Sequence, residues 1–204
     1  MLISVHMSHM GHARLGAGCI LQSRTGLRPM EMLSLVPTDI TLPEEQDQAY
    51  ATIGLGIRTN TKLKRPQSIS IQCASDPELV ELLRRLKLCT PPSARLFPYS
   101  IGWYRHIISK IEGDVLGLDF HWTGHSPRAG WASDLRARGV PFTEIRELGR
   151  WLSDASLRVY LDLVSSASIA VSLRTRGFLG AIAWLKLHWL AYFPAASLSV
   201  TYGA

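Results

Sequence analysis

Proline and glycine residues divide this chain into short segments. Because helices begin or end at these residues, the chain can form only folds that are built from short elements. Residues 12–27 have a helical pattern that ends at Thr25-Gly26, and Pro29 then stands at the first position of the next predicted helix. Asp76-Pro77 predicts another helix start. Apolar residues follow it at helical spacing, at Leu79, Leu82, Leu83 and Leu86. The pattern favours a domain built mainly of α-helices.

The same reasoning places helices in the second half of the chain. Residues 126–138 form a predicted helix that Gly139 ends, and Pro141 opens the next one. Residues 104–111 and 155–165 are also predicted to be helical.

Two segments have the alternating pattern of β-strands. Residues 53–58 and 68–72 alternate apolar and polar side chains, with a basic turn between them, whereas residues 36–50 read as a polar loop. The predicted fold class is therefore mainly α with one small antiparallel β-sheet.

Composition narrows the class of partner. The chain has 204 residues, enough for one domain with or without an appendage, and a formal net charge of +6. A basic surplus suits nucleic acid or an acidic membrane surface. Three cysteines form no C-x-x-C pair and the first residues do not resemble a signal peptide, so we expect an intracellular, reducing location.

Residues 178–193 are strongly apolar but are interrupted by Lys186 and His188. A membrane-spanning helix needs about 20 predominantly apolar residues, so a span is not expected here. A buried or partner-docking helix is the favoured interpretation, and an unrelated tail is the alternative.

Two pairs of residues stand at predicted helix starts, where free backbone N–H groups favour an anion. Arg28 precedes a helix, and Glu31 lies three residues on, where a charge-assisted pair would orient the arginine. His125 and Arg128 share one face at another helix start. Each pair alone is compatible with an ordinary solvated surface, but both in one basic chain favour a shared phosphate site.

Trp151 and Tyr160 add a hydrogen-bond donor and a nucleophile. The Trp151 indole can reach a phosphoryl oxygen, with core packing as the alternative. The Tyr160 hydroxyl can attack a phosphate that cations hold in place. Lys62, in the basic turn, can act as a general acid, and a solvated turn is the alternative.

No cofactor is expected. His6, His9 and His12 have a spacing that zinc can use, but no cysteine or carboxylate nearby completes a site, so no metal is predicted.

In this order, these residues resemble the catalytic domain of tyrosine recombinases of the phage-integrase type. The resemblance covers roughly residues 15–165. It implies an integrase-type fold in which Tyr160 is the nucleophile and Glu31 supports the catalytic residues. Those catalytic residues would be Arg28, Lys62, His125, Arg128 and Trp151. Lys64 competes with Lys62 for the role of catalytic lysine, and Lys64, Arg65 and Arg150 are the expected DNA contacts.

The resemblance also implies a division of the chain and a partner. Residues 1–165 would be the catalytic domain, without the DNA-clamp domain usual in the family, and residues 166–204 an apolar segment that is either a helix docking on a neighbouring subunit or an unrelated tail. The implied partner is double-stranded DNA in the nucleus or nucleoid, bound by a homotetramer.

The implied function is site-specific DNA recombination or integration through a 3′-phosphotyrosine intermediate. Two alternatives stay open. One is a DNA-binding remnant of a mobile-element recombinase that does not cleave productively, and the other is DNA relaxation of the topoisomerase IB type.

Overall fold

The computed structural model describes residues 1–56, 66–161 and 163–199. Of the residues that the structure describes, 60% are helical, and the strands form a small three-stranded antiparallel sheet, which confirms the predicted fold class at this coarse level. The helices are α1 (Leu2–His9), α2 (Ala13–Thr25), α3 (Pro29–Ser34), α4 (Pro43–Gln46), α5 (Pro77–Leu88), α6 (Ile101–Lys110), α7 (Ser126–Ala137), α8 (Phe142–Leu148), α9 (Asp154–Arg158), α10 (Leu163–Thr175), α11 (Leu179–His188) and α12 (Ala195–Leu198). The strands are β1 (Ile40–Thr41), β2 (Tyr50–Gly56) and β3 (Gln67–Gln72).

Local sequence signals set several of these boundaries. Gly26 ends α2 with a left-handed φ of 66°, which glycine adopts at no steric cost. The Asp76 side chain caps α5 by accepting a hydrogen bond from the backbone N–H of Leu79 at 3.3 Å. Gly139, with φ of 85°, follows α7, and Pro141 precedes α8. The predicted helices at these positions are confirmed.

The sheet has the order β1-β2-β3. Ile53 of β2 pairs with Ile40 of β1 on one side and with Ile69 of β3 on the other. The prediction that residues 36–50 form only a polar loop is wrong, because Ile40 is buried and its strand completes the sheet edge. Two residues are too few for an alternating pattern to be visible in the sequence.

A buried carboxylate holds the loop that precedes His125. Helix α6 continues as a π-helical turn over Ile111–Val115, and Glu112 in this turn is buried. Its carboxylate accepts hydrogen bonds from the backbone N–H groups of Phe120 at 2.6 Å and Trp122 at 2.8 Å. These bonds hold the loop that leads to His125.

Two hydrophobic clusters organise the chain. The main core gathers side chains from α1, α2, α3, the sheet, α5 and α6, with Phe97 and Tyr104 among its largest members. A smaller cluster is formed by α7, α8 and α9 around Ala132, Ile145, Trp151 and Leu157. Helix α7 also packs against α2, so the small cluster lies beside the residues that follow α2.

The prediction of a continuous helix over residues 155–165 is wrong. Helix α9 ends at Arg158 and α10 begins at Leu163, so Tyr160 lies in a turn between them. The backbone N–H of Tyr160 donates to the carbonyl of Leu157 at 2.9 Å, which is the tighter spacing of a turn. Packing of the tyrosine ring on Trp151 accompanies this break.

The apolar C-terminal segment packs on its own chain. Trp189, Phe193 and Leu198 are buried in the main core, and Arg85 of α5 donates to the carbonyl of Phe193 at 3.0 Å. Helix α11 itself is mostly exposed, and Leu185 is its buried residue. Docking of this segment on a neighbouring subunit stays a prediction, as does the division at residue 165, which falls within α10. In the ranges that the structure describes, no helix has both the length and the apolar character needed to cross a membrane.

Candidate active site

Arg28 and Glu31 form a pair at the start of α3. The backbone N–H of Arg28 donates to Oε2 of Glu31 at 2.8 Å, and its Nη1 donates to Oε1 at 2.7 Å. The Glu31 side chain is fully buried, whereas 34% of the Arg28 side chain is exposed. The local spacing of three residues therefore does produce the expected charge-assisted pair, and it leaves one guanidinium partly open to solvent.

Arg150 joins this pair from the turn after α8. Its backbone has φ of 60°, a left-handed conformation that costs a residue with a Cβ roughly 1–2 kcal/mol. The Arg150 carbonyl accepts a hydrogen bond from Nη2 of Arg28 at 2.7 Å, and the Nη2 of Arg150 donates to Oε2 of Glu31 at 2.7 Å. Only 11% of the Arg150 side chain is exposed. The residue that was expected to contact DNA is thus directed at a buried carboxylate.

Arg128 is almost completely enclosed, with an exposed fraction of 1%. Its Nη1 donates to the carbonyl of Gly26, and its Nη2 donates to the carbonyl of Gly149. The Trp151 ring covers it, with 3.9 Å between Cζ of Arg128 and the ring centroid, a cation–π contact. Arg128 therefore ties the end of α2 to the turn after α8.

Arg28, Arg128, Arg150 and Glu31 are called the arginine cluster below. This group of four residues combines three guanidinium groups with one carboxylate, so it carries a net positive charge. Burial, followed by the charges of Arg28 and Arg150, lowers the pKa of Arg128 to about 9. Burial of Glu31 opposes its ionisation, but Arg150 and Arg28 outweigh this and hold its pKa below the ordinary value. Such a cluster favours the approach of an anion.

Tyr160 lies beside the arginine cluster on the small hydrophobic cluster. Its half-buried ring is 5.5 Å from the Trp151 ring and 6.4 Å from the His125 ring, measured between centroids. Its carbonyl accepts a hydrogen bond from Oγ of Ser133 at 3.2 Å. Tyr160 and Arg128 both contact the Trp151 ring, so the phenol lies close to the guanidinium.

His125 is the last residue before α7 and is half-buried. Its Nδ1 atom is buried without a hydrogen-bond partner among the described residues. Burial, together with the charges of Arg128, Arg105 and Arg28, lowers the pKa of His125. The lowered pKa favours the neutral imidazole, which is the form that a general base requires.

The structure shows supporting residues that sequence reasoning missed. Trp131 stacks on Trp151 with 6.1 Å between ring centroids and 18° between ring planes. Gly26 leaves room for it, because a Cβ at this position would lie 2.6 Å from Trp131 Cε3. Trp131 is three residues beyond Arg128 on α7, so helical spacing from the predicted arginine was a signal that could have found it.

Three of the predicted site residues belong to the basic segment between residues 57 and 65. Lys62, Lys64 and Arg65 lie outside the described residues, so the choice between Lys62 and Lys64 stays open. Within the described ranges, His, Cys, Asp and Glu side chains form no group of three or more that could hold a metal ion.

Gly149 is required by the contact between Trp151 and Arg128. A Cβ at Gly149 would lie 1.7 Å from Cζ3 of Trp151, so we expect Gly149→Ala to displace the ring and to lower the free energy of unfolding by about 1–3 kcal/mol. Urea denaturation measures the change. Gly130→Ala in α7 is the control: nothing lies within 4 Å of its Cβ, and alanine should stabilise the helix by roughly 0.5–1 kcal/mol. Equal effects of the two substitutions would contradict this view of Gly149.

Comparison with known proteins adds no family assignment. No family model matches the chain, and no curated protein matches it significantly. The resemblance to tyrosine recombinases therefore rests on the residues described above, and membership of that family stays a prediction.

Proposed function

We propose that this chain is a catalytic domain of the tyrosine recombinase type, which cleaves and rejoins double-stranded DNA through a 3′-phosphotyrosine at Tyr160. One observation carries the proposal. Arg28, His125, Arg128, Trp151 and Tyr160, which the sequence spreads over 133 positions, surround one net-positive site in the structure. The proposal includes an integrase-type fold and assembly as a tetramer on DNA.

The proposed reaction is an exchange of phosphate esters. The Tyr160 oxygen attacks the phosphorus of a DNA phosphodiester, the bond from phosphorus to the 5′-oxygen breaks, and a 3′-phosphotyrosine and a 5′-hydroxyl end result. The phenolic proton passes to His125, whose lowered pKa keeps the imidazole in the neutral form that a general base requires. By resemblance, the catalytic lysine, Lys62 with Lys64 as the alternative, protonates the leaving 5′-oxygen. Rejoining is the reverse reaction with a 5′-hydroxyl as the nucleophile, so the DNA backbone is restored without a cofactor.

The arginine cluster would stabilise the charge that grows on the phosphoryl oxygens. Arg28 is its partly exposed member and has N–H groups beyond those bonded to Glu31 and Arg150, so it is the proposed direct phosphate contact. Arg128 would act from beneath Trp151 through its charge, which is strongest in a site with little water. In other enzymes, such preorganised donors contribute about 10²–10³-fold in rate each.

One observation favours a second candidate. Both terminal nitrogens of Arg128 donate to backbone carbonyls, and Trp151 covers the guanidinium, so Arg128 meets a phosphate only after a rearrangement. A recombinase-like domain that binds DNA without productive cleavage would need no such rearrangement.

A suicide substrate distinguishes a domain that cleaves DNA from one that only binds it. The full chain would be incubated with a pool of nicked duplexes of randomised central sequence, in which a short fragment diffuses away after cleavage and traps the covalent complex. Denaturing electrophoresis would show the adduct, and mass spectrometry would identify the linked residue. We expect a phosphotyrosine at Tyr160. Binding without any adduct would favour the second candidate, and relaxation of supercoiled plasmid with no strand exchange would favour the topoisomerase-like alternative.

A further inference from the structure

We propose that Arg150 is a positioning residue that fixes the Arg28 guanidinium from behind, and that it is not a DNA contact. The inference rests on the proposed function, because it assigns Arg28 as the phosphate contact. It departs from the expectation drawn from the sequence, in which a basic residue next to Trp151 would reach for the DNA backbone.

Arg150 constrains the position of the Arg28 guanidinium through two sets of hydrogen bonds. One is direct: the Arg150 carbonyl accepts a hydrogen bond from Nη2 of Arg28 at 2.7 Å. The other runs through Glu31, since Nη2 of Arg150 donates to the same Oε2 atom that accepts the backbone N–H of Arg28. The second oxygen of Glu31 accepts from Nη1 of Arg28. The guanidinium of Arg28 is thus held on two sides by groups that Arg150 supplies or orients.

Backbone conformation and burial support this role. Arg150 is one of a few non-glycine residues of the described ranges with a positive φ, and this conformation brings its carbonyl to Arg28. Its side chain is more enclosed than that of Arg28, with 11% against 34% exposed, and it contacts a carboxylate that has no exposed surface. If Arg150 bound a phosphate of approaching DNA, its side chain would be expected to be more exposed than that of Arg28.

Arg150→Gly tests the side chain while keeping the backbone, because glycine adopts positive φ without steric cost. We expect the rate of adduct formation at saturating DNA to fall about 10- to 100-fold through loss of orientation, with the dissociation constant for DNA and its salt dependence unchanged. Arg150→Lys restores a cation that can reach Glu31 and should recover part of the rate. The control is Arg146→Ala, which removes a neighbouring surface arginine paired with Asp154 and should leave the rate unchanged.

If Arg150 contacted DNA directly, the Arg150→Gly variant would give a different result. Loss of one phosphate contact would weaken DNA binding and reduce the slope of log affinity against log salt by about 0.9, with little change in rate at saturation. That outcome in Arg150→Gly would overturn the proposal.

A second measurement separates failure of this inference from failure of the proposed function. The Glu31 carboxyl would be titrated by NMR in the wild-type protein and in Arg150→Gly, with thermal denaturation to verify that the variant is folded. We expect the pKa of Glu31 to rise in the variant because Arg150 helps to keep the carboxyl ionised. If the wild-type protein forms no DNA adduct, the proposed function fails, and an unchanged pKa of Glu31 in the variant would independently overturn the assignment of Arg150.

Discussion

Tyr160→Phe is expected to abolish the covalent DNA adduct while leaving DNA binding intact. The substitution removes the oxygen that would form the bond to phosphorus and keeps the ring that packs on Trp151 and His125. Removing a covalent nucleophile in other enzymes lowers the rate by up to ~10⁶-fold, so the adduct should fall by ~10³-fold or more. Denaturing electrophoresis with the nicked duplexes measures the adduct, and a mobility-shift titration measures DNA affinity.

Tyr192→Phe is the matched control for this experiment. Tyr192 is also half-buried and packs against aromatic rings, 5.4 Å from His9 and 6.0 Å from Trp184. These ring partners belong to α1 and α11, whereas those of Tyr160 are His125 and Trp151. Tyr192→Phe should retain the wild-type adduct. An adduct that survives in Tyr160→Phe, or that disappears equally in both variants, would show that another residue is the nucleophile or that the loss is not specific.

Glu31→Gln is expected to lower the free energy of unfolding by about 3–5 kcal/mol at neutral pH, the loss typical of removing one partner from a buried ion pair. The carboxylate is fully buried and accepts hydrogen bonds from Arg28 and Arg150. The amide has nearly the same volume, so the main change is that the guanidinium groups of the cluster lose their counter-charge. Urea denaturation with linear extrapolation measures the difference.

Glu81→Gln provides a control with the same pattern of partners at the surface. The Glu81 carboxylate also pairs with two arginines, Arg84 at 2.7 Å and Arg85 at 2.8 Å, but 35% of its side chain is exposed. Solvent screens this pair, so its loss should cost about 0–1 kcal/mol. Similar costs for Glu31→Gln and Glu81→Gln would show that burial of the arginine cluster contributes little.

The effect of Glu31→Gln should also depend on pH. The folded-state pKa of Glu31 lies below its ordinary value of 4.5, because Arg150 and Arg28 outweigh the opposing effect of burial. The stabilisation is therefore fully present above the unfolded-state pKa and is lost as the pH falls through the folded-state pKa. The difference in stability between the wild-type protein and Glu31→Gln should shrink in acid. A difference that grows as the pH falls would contradict this assignment of charge.

Residues close together in the sequence were the best predicted. The pair formed by Arg28 and Glu31 depends on a spacing of three residues at a helix start, and the structure contains it. Gly26 and Asp76 mark helix ends through their own backbone and side-chain chemistry, so their positions could be read directly. The coarse fold class followed from the same local signals.

The same reasoning could not predict contacts between segments that are far apart in the sequence. Arg150 reads as one more surface cation in a basic chain, and nothing in its neighbours indicates a left-handed backbone or a buried carboxylate 119 positions away. Tyr160 falls in an apolar pattern that predicts a helix, yet packing against Trp151 accompanies a turn. Apolar residues such as Trp189 and Phe193 could equally have docked on a partner, and only their burial against α2 and α5 places them in this chain's own core.

By itself the sequence determined several helix ends, such as those at Gly26 and Asp76, the mainly helical class and the residue types available for phosphate chemistry, since each depends on backbone preferences and side chains within a turn or two of one another. Only the tertiary structure decided that Arg128 lies beneath Trp151 and that Arg150 faces Glu31 and not the solvent. Those arrangements depend on carbonyl and carboxylate oxygens that folding brings from about a hundred positions away, as with Arg128 and the carbonyl of Gly26, 102 residues apart. Desolvation of a charge is a property of the packed chain, and no local pattern encodes it.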